Sequence, residues 1–300
     1  MLEMLLNGGR VNRIGMWARM QDLPVARGYH AMDIIGSKIY VHGGRIDGVG
    51  STTLSDMLFS YDLVTQEFTQ LPSTLPARSE HTLNVIDGKL YVFGGHITYA
   101  SVFGLKELWC YDLTTNQWTR LADCLYGRKG HTANVVDGKL YAYGGSANTG
   151  DTGLQQIACY DPATNVWTQI LSTPALNKRR YEHTSVVIDK KLYIHGGYTS
   201  TTFKDLWCYD TVNDTWTQLA NSPKGRYRHT AVVIKGKMYV AMGDISTSSI
   251  ESYCYDPVAD TWSPLAIESK YIYAKAVAYD DKMYVYGGHS VPSALWMFTP

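Results

Sequence analysis

A Gly-Gly doublet recurs along the 300-residue chain at Gly43-Gly44, Gly94-Gly95, Gly144-Gly145, Gly196-Gly197 and Gly287-Gly288, and Met242-Gly243 stands in the one gap. Successive copies lie 51, 50, 52, 46 and 45 residues apart, so nearly the whole chain is one unit written six times. A period of about 50 residues is that of a supersecondary unit that buries its apolar faces by stacking on copies of itself. The repeat also sorts fold from function. What recurs in every copy builds the architecture, and what differs between copies is free to build a single site.

The second copy reads most fully. Thr82-Leu83-Asn84-Val85-Ile86 is a short, largely apolar run, strand A, and the Asp87-Gly88 after it suits a two-residue hairpin turn because both positions tolerate positive φ. Strand B, Lys89 to Phe93, ends at the doublet, where a sharp exit favours residues without a Cβ. A loop of variable length leads to strand C, Leu108-Trp109-Cys110-Tyr111-Asp112. A Thr114-Thr115-Asn116 turn then leads to strand D, Trp118-Thr119-Arg120-Leu121. Four short antiparallel strands with fixed turn chemistry make one propeller blade. The strand D tryptophan recurs as Trp118, Trp167, Trp216 and Trp262, with Phe68 in the first unit, and offers an apolar plate to the wedge between blades.

The doublet, the Tyr-Asp pair of strand C and the downstream Trp resemble the kelch motif, over about residues 16 to 300. The resemblance implies a kelch-repeat β-propeller, the fold of the galactose oxidase central domain. The two ends of the chain bear on the blade count. The sixth unit ends at Pro300 after strand C, Ala294 to Phe298, without a Trp-bearing strand D, whereas Trp17-Ala18-Arg19-Met20-Gln21-Asp22 parallels Trp118 to Asp123. Met16 to Leu23 is therefore expected to complete the last blade and close an all-β, six-bladed ring, removing the sheet edges an open ring would expose. Residues 1–15 are expected to be a flexible or docking segment and residues 16–300 one propeller.

Composition narrows the partners. Lys+Arg and Asp+Glu balance at 27 each, so no net field favours phosphate backbones or anionic membranes, and nucleic acid is not an expected partner. No apolar run reaches the ~20 residues of a membrane span, and Met4-Leu5-Leu6 is too short for the core of a secretory leader. Cys110, Cys159, Cys208 and Cys254 all stand directly ahead of Tyr-Asp. Equivalent positions of separate blades lie beyond bridging distance, so these cysteines read as small buried hydrophobes. A cytoplasmic location is expected, with a virion or cell surface as the alternative.

Antiparallel order puts the B–C and D–A connections on one face of the ring and the A–B and C–D turns on the other. The A–B turns are nearly uniform (Asp87-Gly88, Asp137-Gly138, Lys235-Gly236) while the B–C loops vary, so binding is expected on the B–C/D–A face. Three residue sets compete there. Arg-x-x-His opens strand A in five units, as Arg27/His30, Arg78/His81, Arg128/His131, Arg180/His183 and Arg226/His229, with Tyr271 and Ala274 in the sixth. Such recurrence points to tying blades together rather than to a metal ring. Between Arg and His the chemistry varies: Gly28-Tyr29, Ser79-Glu80, Lys129-Gly130, Tyr181-Glu182, Tyr227-Arg228 and Ile272-Tyr273. Near an axis, tyrosines beside opposite charges can stack on a ligand and bond its edges, which makes Glu80, Lys129, Tyr181, Glu182, Tyr227, Arg228, Tyr271 and Tyr273 binding candidates. The third set follows the doublets and supplies Arg45, Asp47, His96, Tyr99, Phe103, Tyr198 and His289. Its stretch His96 to Phe103, rich in apolar and aromatic residues, is either a partner surface or a flap over its own blade.

No nucleophile motif, phosphate loop or metal-binding spacing is present, and no catalytic, metal or cofactor residue is assigned. Resemblance to kelch-type enzymes sharpens this. Galactose-oxidase-like copper enzymes imply seven blades and a Tyr/Cys/His copper set, and plant specifier proteins a Glu-x-x-x-Asp-x-x-x-His iron motif that this sequence lacks. A sialic-acid mutarotase-like activity would use Arg, Glu and His at the channel mouth, for which Glu80, Glu182 and Arg228 are candidates. The resemblance favours a noncatalytic binding module that receives an acidic or polar protein segment, with glycan recognition as the alternative.

Overall fold

The computed structural model of the protein describes residues 15–46, 53–98, 103–147, 154–172, 179–244, 251–266, 272–288 and 293–300. The short apolar runs pair into six antiparallel sheets of four strands, set as blades around an axis. Strands A line that axis: Ala31–Ile35, Thr82–Ile86, Thr132–Val136, Thr184–Ile188, Thr230–Ile234 and Lys275–Tyr279. In five blades the spatial order follows the chain. The sixth takes its strand D from the other end: Met16–Asp22 pairs with Ala294–Thr299, setting Trp17 opposite Phe298 and Arg19 opposite Trp296. The expected six-bladed ring, closed by the first strand, is thus observed; its closing strand stops one residue short of Leu23. Of the segment 1–15, all but Gly15 lies outside the described residues.

The wedge between blades is filled by one repeated joint. Three of the strand D tryptophans donate the indole N–H to the preceding blade, Trp167 to Ala122 O at 2.9 Å, Trp216 to Ser172 O at 3.3 Å and Trp262 to Ala220 O at 2.8 Å, whereas that of Trp118 is buried without a partner among the described residues. Trp17 makes the same bond to Ala266 O at 3.3 Å and packs on Phe298, so the closing strand is held like the others. The cysteines are unbridged, and Cys110, Cys208 and Cys254 are buried in strand C as expected, whereas Cys159 is only partly buried.

The doublets belong to this joint. In the five intact copies the first glycine has φ between 65° and 73° and the second between 85° and 109°. A Cβ on the first would lie 2.6–2.9 Å from Cε1 of the next blade's histidine, closer than packed atoms allow. The second donates its N–H to the next blade's Arg carbonyl, as in Gly44 to Arg78 O and Gly95 to Arg128 O, both 2.8 Å. Each of those arginines is fully buried and returns a bond to its own blade's doublet, Arg27 to Gly43 O at 2.7 Å and Arg180 to Gly196 O at 2.8 Å. The histidines pack edge-on against the preceding strand B, His131 on Phe93 and His183 on Tyr143. Burial holds His30, His81, His131, His183 and His229 well below the ordinary imidazole value, so all are neutral near pH 7. The Arg-x-x-His set is the fabric of the ring.

The one broken doublet and the one missing histidine meet at the same joint. Met242 keeps the glycine's conformation, with φ of 66°, and is 2% exposed. It shares a buried apolar cluster with Ala274, which stands where the other blades have histidine. The methionine side chain takes up the space that the alanine vacates.

Candidate functional site

Loop pairing builds the site. Backbone bridges join Gly28 to Arg45, Ser79 to His96, Lys129 to Ser146, Tyr181 to Tyr198 and Tyr227 to Asp244, which places the D–A and B–C connections on one face. The first residue between each Arg and His is spent on this pairing, and the second turns to the axis. Tyr29, Glu80, Gly130, Glu182, Arg228 and Tyr273 all adopt the left-handed conformation, with φ between 55° and 63°. Their main chains form a closed hydrogen-bond ring at 2.7–3.2 Å: each amide donates to the carbonyl of the blade before it, from Tyr273 to Arg228, Glu182, Gly130, Glu80 and Tyr29, and back to Tyr273. This ring narrows the axis to a mouth of about 40 Å³. Beneath it the channel widens to about 350 Å³ between the six inner strands.

The side chains above the ring touch in sequence. Tyr181 meets Tyr198 edge-on, and Tyr198 stacks on Tyr227 at 5.1 Å. The Arg228 guanidinium lies 4.7 Å from the Tyr227 ring and 4.5 Å from that of Tyr273. Tyr273 stacks on Tyr29 at 3.4 Å, and Arg45 lies 3.9 Å over Tyr29. Arg45 donates to Glu80 at 3.2 Å, and His96 Nε2 lies 3.4 Å from the same carboxylate. The arc so formed spans blades four, five, six, one and two. Blade three contributes Gly130, which has no side chain and leaves a notch between Glu80 and Glu182.

Electrostatics at the mouth are paired rather than basic. Arg228 Nε donates to Glu182 at 2.9 Å. Burial raises the Glu182 carboxyl to about 7, the Glu80 charge adding to this and Arg228 and Tyr273 opposing it. Burial also works against the Glu80 charge, but His96, Lys129 and Arg45 outweigh it and hold that carboxyl low. Arg45 and Arg228 are therefore not spare cations awaiting an acidic peptide.

Of the residues expected to bind, the structure brings Arg45, Glu80, His96, Tyr181, Glu182, Tyr198, Tyr227, Arg228 and Tyr273 into this arc. His96 is buried at 2% exposure and backs Glu80 while bonding Ser79 Oγ at 2.9 Å, so it positions rather than presents. Lys129 borders the notch. Phe103 is 59% exposed and Ile97 44%, and neither lines the mouth. Asp47, Tyr99, Tyr271 and His289 lie outside the described residues. Two residues of the axis were not singled out from the sequence. Tyr29 was visible in the variable pairs, and Lys275 only as a departure from the threonine that follows histidine in Thr82, Thr132, Thr184 and Thr230.

Fold, joint and mouth together define a six-bladed kelch-type propeller. The chain belongs to the Attractin/LZTR1 beta-propeller family, whose sequence model matches residues 51–292, and the Kelch motif matches residues 26–74. It is 30% identical over 94 residues to Kelch-like protein 36 of Rattus norvegicus, covering 31% of this chain and 15% of that protein. It is 38% identical over 82 residues to Kelch-like protein 25 of Homo sapiens, covering 27% and 13%. The match thus spans only a small part of the length of these relatives. The solved structure of YjhT superposes with a TM-score of 0.75 at 18% identity, over 91% of this chain and 94% of that one, which is a likeness of fold. No helix among the described residues is long and apolar enough to cross a membrane.

Proposed function

We propose that this chain is a binding module that receives a polar protein loop or extended peptide on its B–C/D–A face. The observation that carries this reading is the continuous arc of contacts from Tyr181 to Glu80, whose two ends flank the Gly130 notch. Half-buried tyrosines and guanidiniums held by their neighbours give planar contact area at small entropic cost, as interface hot spots require. Because each arc arginine already has a carboxylate partner, the favoured ligand offers a planar group (an amide, a guanidinium or an aromatic ring) rather than a run of acids. The unbridged cysteines suit a reducing, cytoplasmic setting. Residues 1–15 would then be a separate docking segment.

Peptide-display selection against the whole chain tests this. Enriched peptides should bind at least tenfold more weakly to Arg228→Ala and Tyr181→Ala, and unchanged to Val258→Ser, whose side chain is 95% exposed on the opposite face. Selection of peptides indifferent to the arc variants refutes the proposal. A sugar-directed reading, as glycan module or mutarotase-like enzyme, is supported by one observation: a carboxyl raised to about 7 beside Arg228 suits general acid–base work near neutral pH. A glycan array and a mutarotation assay that Glu182→Gln abolishes would establish it over the peptide reading.

A further inference from the structure

The channel under the ring holds a lysine that makes no direct ion pair with a described residue. Lys275 opens strand A of the sixth blade and reaches the axis where both cavities meet, flanked by His81, His131, His183 and His229. It is the one Lys or Arg among the described residues that line the channel. Its amine makes no hydrogen bond or ion pair with a described residue. The histidines beside it are neutral, and its own charge helps keep them so. Burial lowers its proton affinity, opposed only by Glu182 and Glu80, which belong to the backbone ring above. An ammonium in this position favours an anionic partner, and the ring admits none of size from above. The channel below is lined along the full length of the inner strands, toward the A–B turns, and its volume of about 350 Å³ is in the range of small-molecule sites.

A second charge sets the size of the ligand. Asp33 also lines the channel, its carboxylate fixed by the amides of Ile34 and Val85, both at 2.8 Å. It stands two residues beyond Ala31, which occupies the position of Lys275 in its own strand, so it lies about 7 Å further along the channel. A ligand bound at Lys275 with a second negative end would meet it. We propose that the channel binds a small monoanion of the monocarboxylate class, with Lys275 as its counterion, the threonine-lined wall around it and Asp33 rejecting dianions. The site lies beneath the backbone ring that carries the arc.

The test is calorimetric titration of the whole chain with sodium acetate and sodium succinate, at ionic strength held constant by a bulky sulfonate. Acetate should bind saturably and at least tenfold more tightly than succinate. Lys275→Met and Lys275→Thr should weaken acetate at least tenfold, and Asp33→Asn should close the gap between acetate and succinate. Absence of saturable acetate binding to the wild-type chain overturns the proposal, as does binding that Lys275→Thr retains. If the Lys275 variants do not fold, the wild-type chain still decides. Acetate should protect Lys275 from acylation by acetic anhydride, read by peptide mass spectrometry, and equal labelling with and without acetate refutes the site.

Discussion

The joint between blades five and six makes a sharp prediction. At the other five joints, a Cβ on the first glycine would fall 2.6–2.9 Å from the next histidine ring, so a side chain there and a histidine opposite exclude each other. Met242 and Ala274 are the complementary solution. Met242→Gly removes a buried side chain, which costs about 2–5 kcal/mol, less about 1 kcal/mol for relief of a positive φ at a non-glycine residue. Ala274→His forces an imidazole into occupied space and costs about 1–3 kcal/mol. The double variant rebuilds the joint found elsewhere in the ring and should come within about 1 kcal/mol of wild type, an interaction energy of at least about 1 kcal/mol between the two sites. Urea unfolding followed by tryptophan fluorescence and circular dichroism, with all four chains compared, measures it. If the single losses add within about 0.5 kcal/mol, the two residues do not share one space and the account of the joint fails.

Three further outcomes follow from the same structure. Trp17→Ala should destabilise by about 2–4 kcal/mol, because the closing strand loses its plate on Phe298 and its bond to Ala266; melting at the wild-type temperature would show that closure does not depend on it. The ring should be acid-labile. His30, His81, His131, His183 and His229 have depressed values in the folded state, so the unfolded chain binds protons first and stability is lost as pH falls below about 6.5. All five act in the same sense, so urea midpoints that fall steadily from about pH 6.5 to 5, read by circular dichroism, are expected, and midpoints constant over that range would refute it. Glu182 acts in the opposite sense. Its folded value, raised to about 7, means that stability is lost as pH rises between about 4.5 and 7, by up to about 3 kcal/mol. Glu182→Gln should remove that loss, so the difference between variant and wild type should change with pH across this window and stay flat above it.

Much of the fold was legible because it is local and repeated. Doublet, turn and tryptophan recur at fixed offsets, and the missing strand D at one end was matched by Trp17 at the other. The joint between Met242 and Ala274 was not, since the two positions are far apart in sequence and only ring geometry sets them face to face. The mouth was half legible. The varied pairs beside Arg-x-x-His located it, but which member of each pair faces the axis depends on the bridges to Arg45, His96, Ser146, Tyr198 and Asp244. Charge pairing was hidden for the same reason, because Arg45–Glu80 and Arg228–Glu182 each cross from one blade to the next. Lys275 read as the start of an ordinary strand. Only convergence of six inner strands on one axis sets it among histidines.

The ring at the mouth is made of main chain alone, which separates its integrity from its decoration. Five of its six positions carry a side chain in a conformation that glycine adopts freely, at about 1 kcal/mol each. Glycine at any of them relieves that cost while erasing part of the arc. The same property makes the mouth a programmable face: the residues at six positions, one on each blade, can be exchanged without touching the main-chain bonds that hold the blades in register. A library confined to positions 29, 80, 130, 182, 228 and 273 would vary recognition on a scaffold that stays the same.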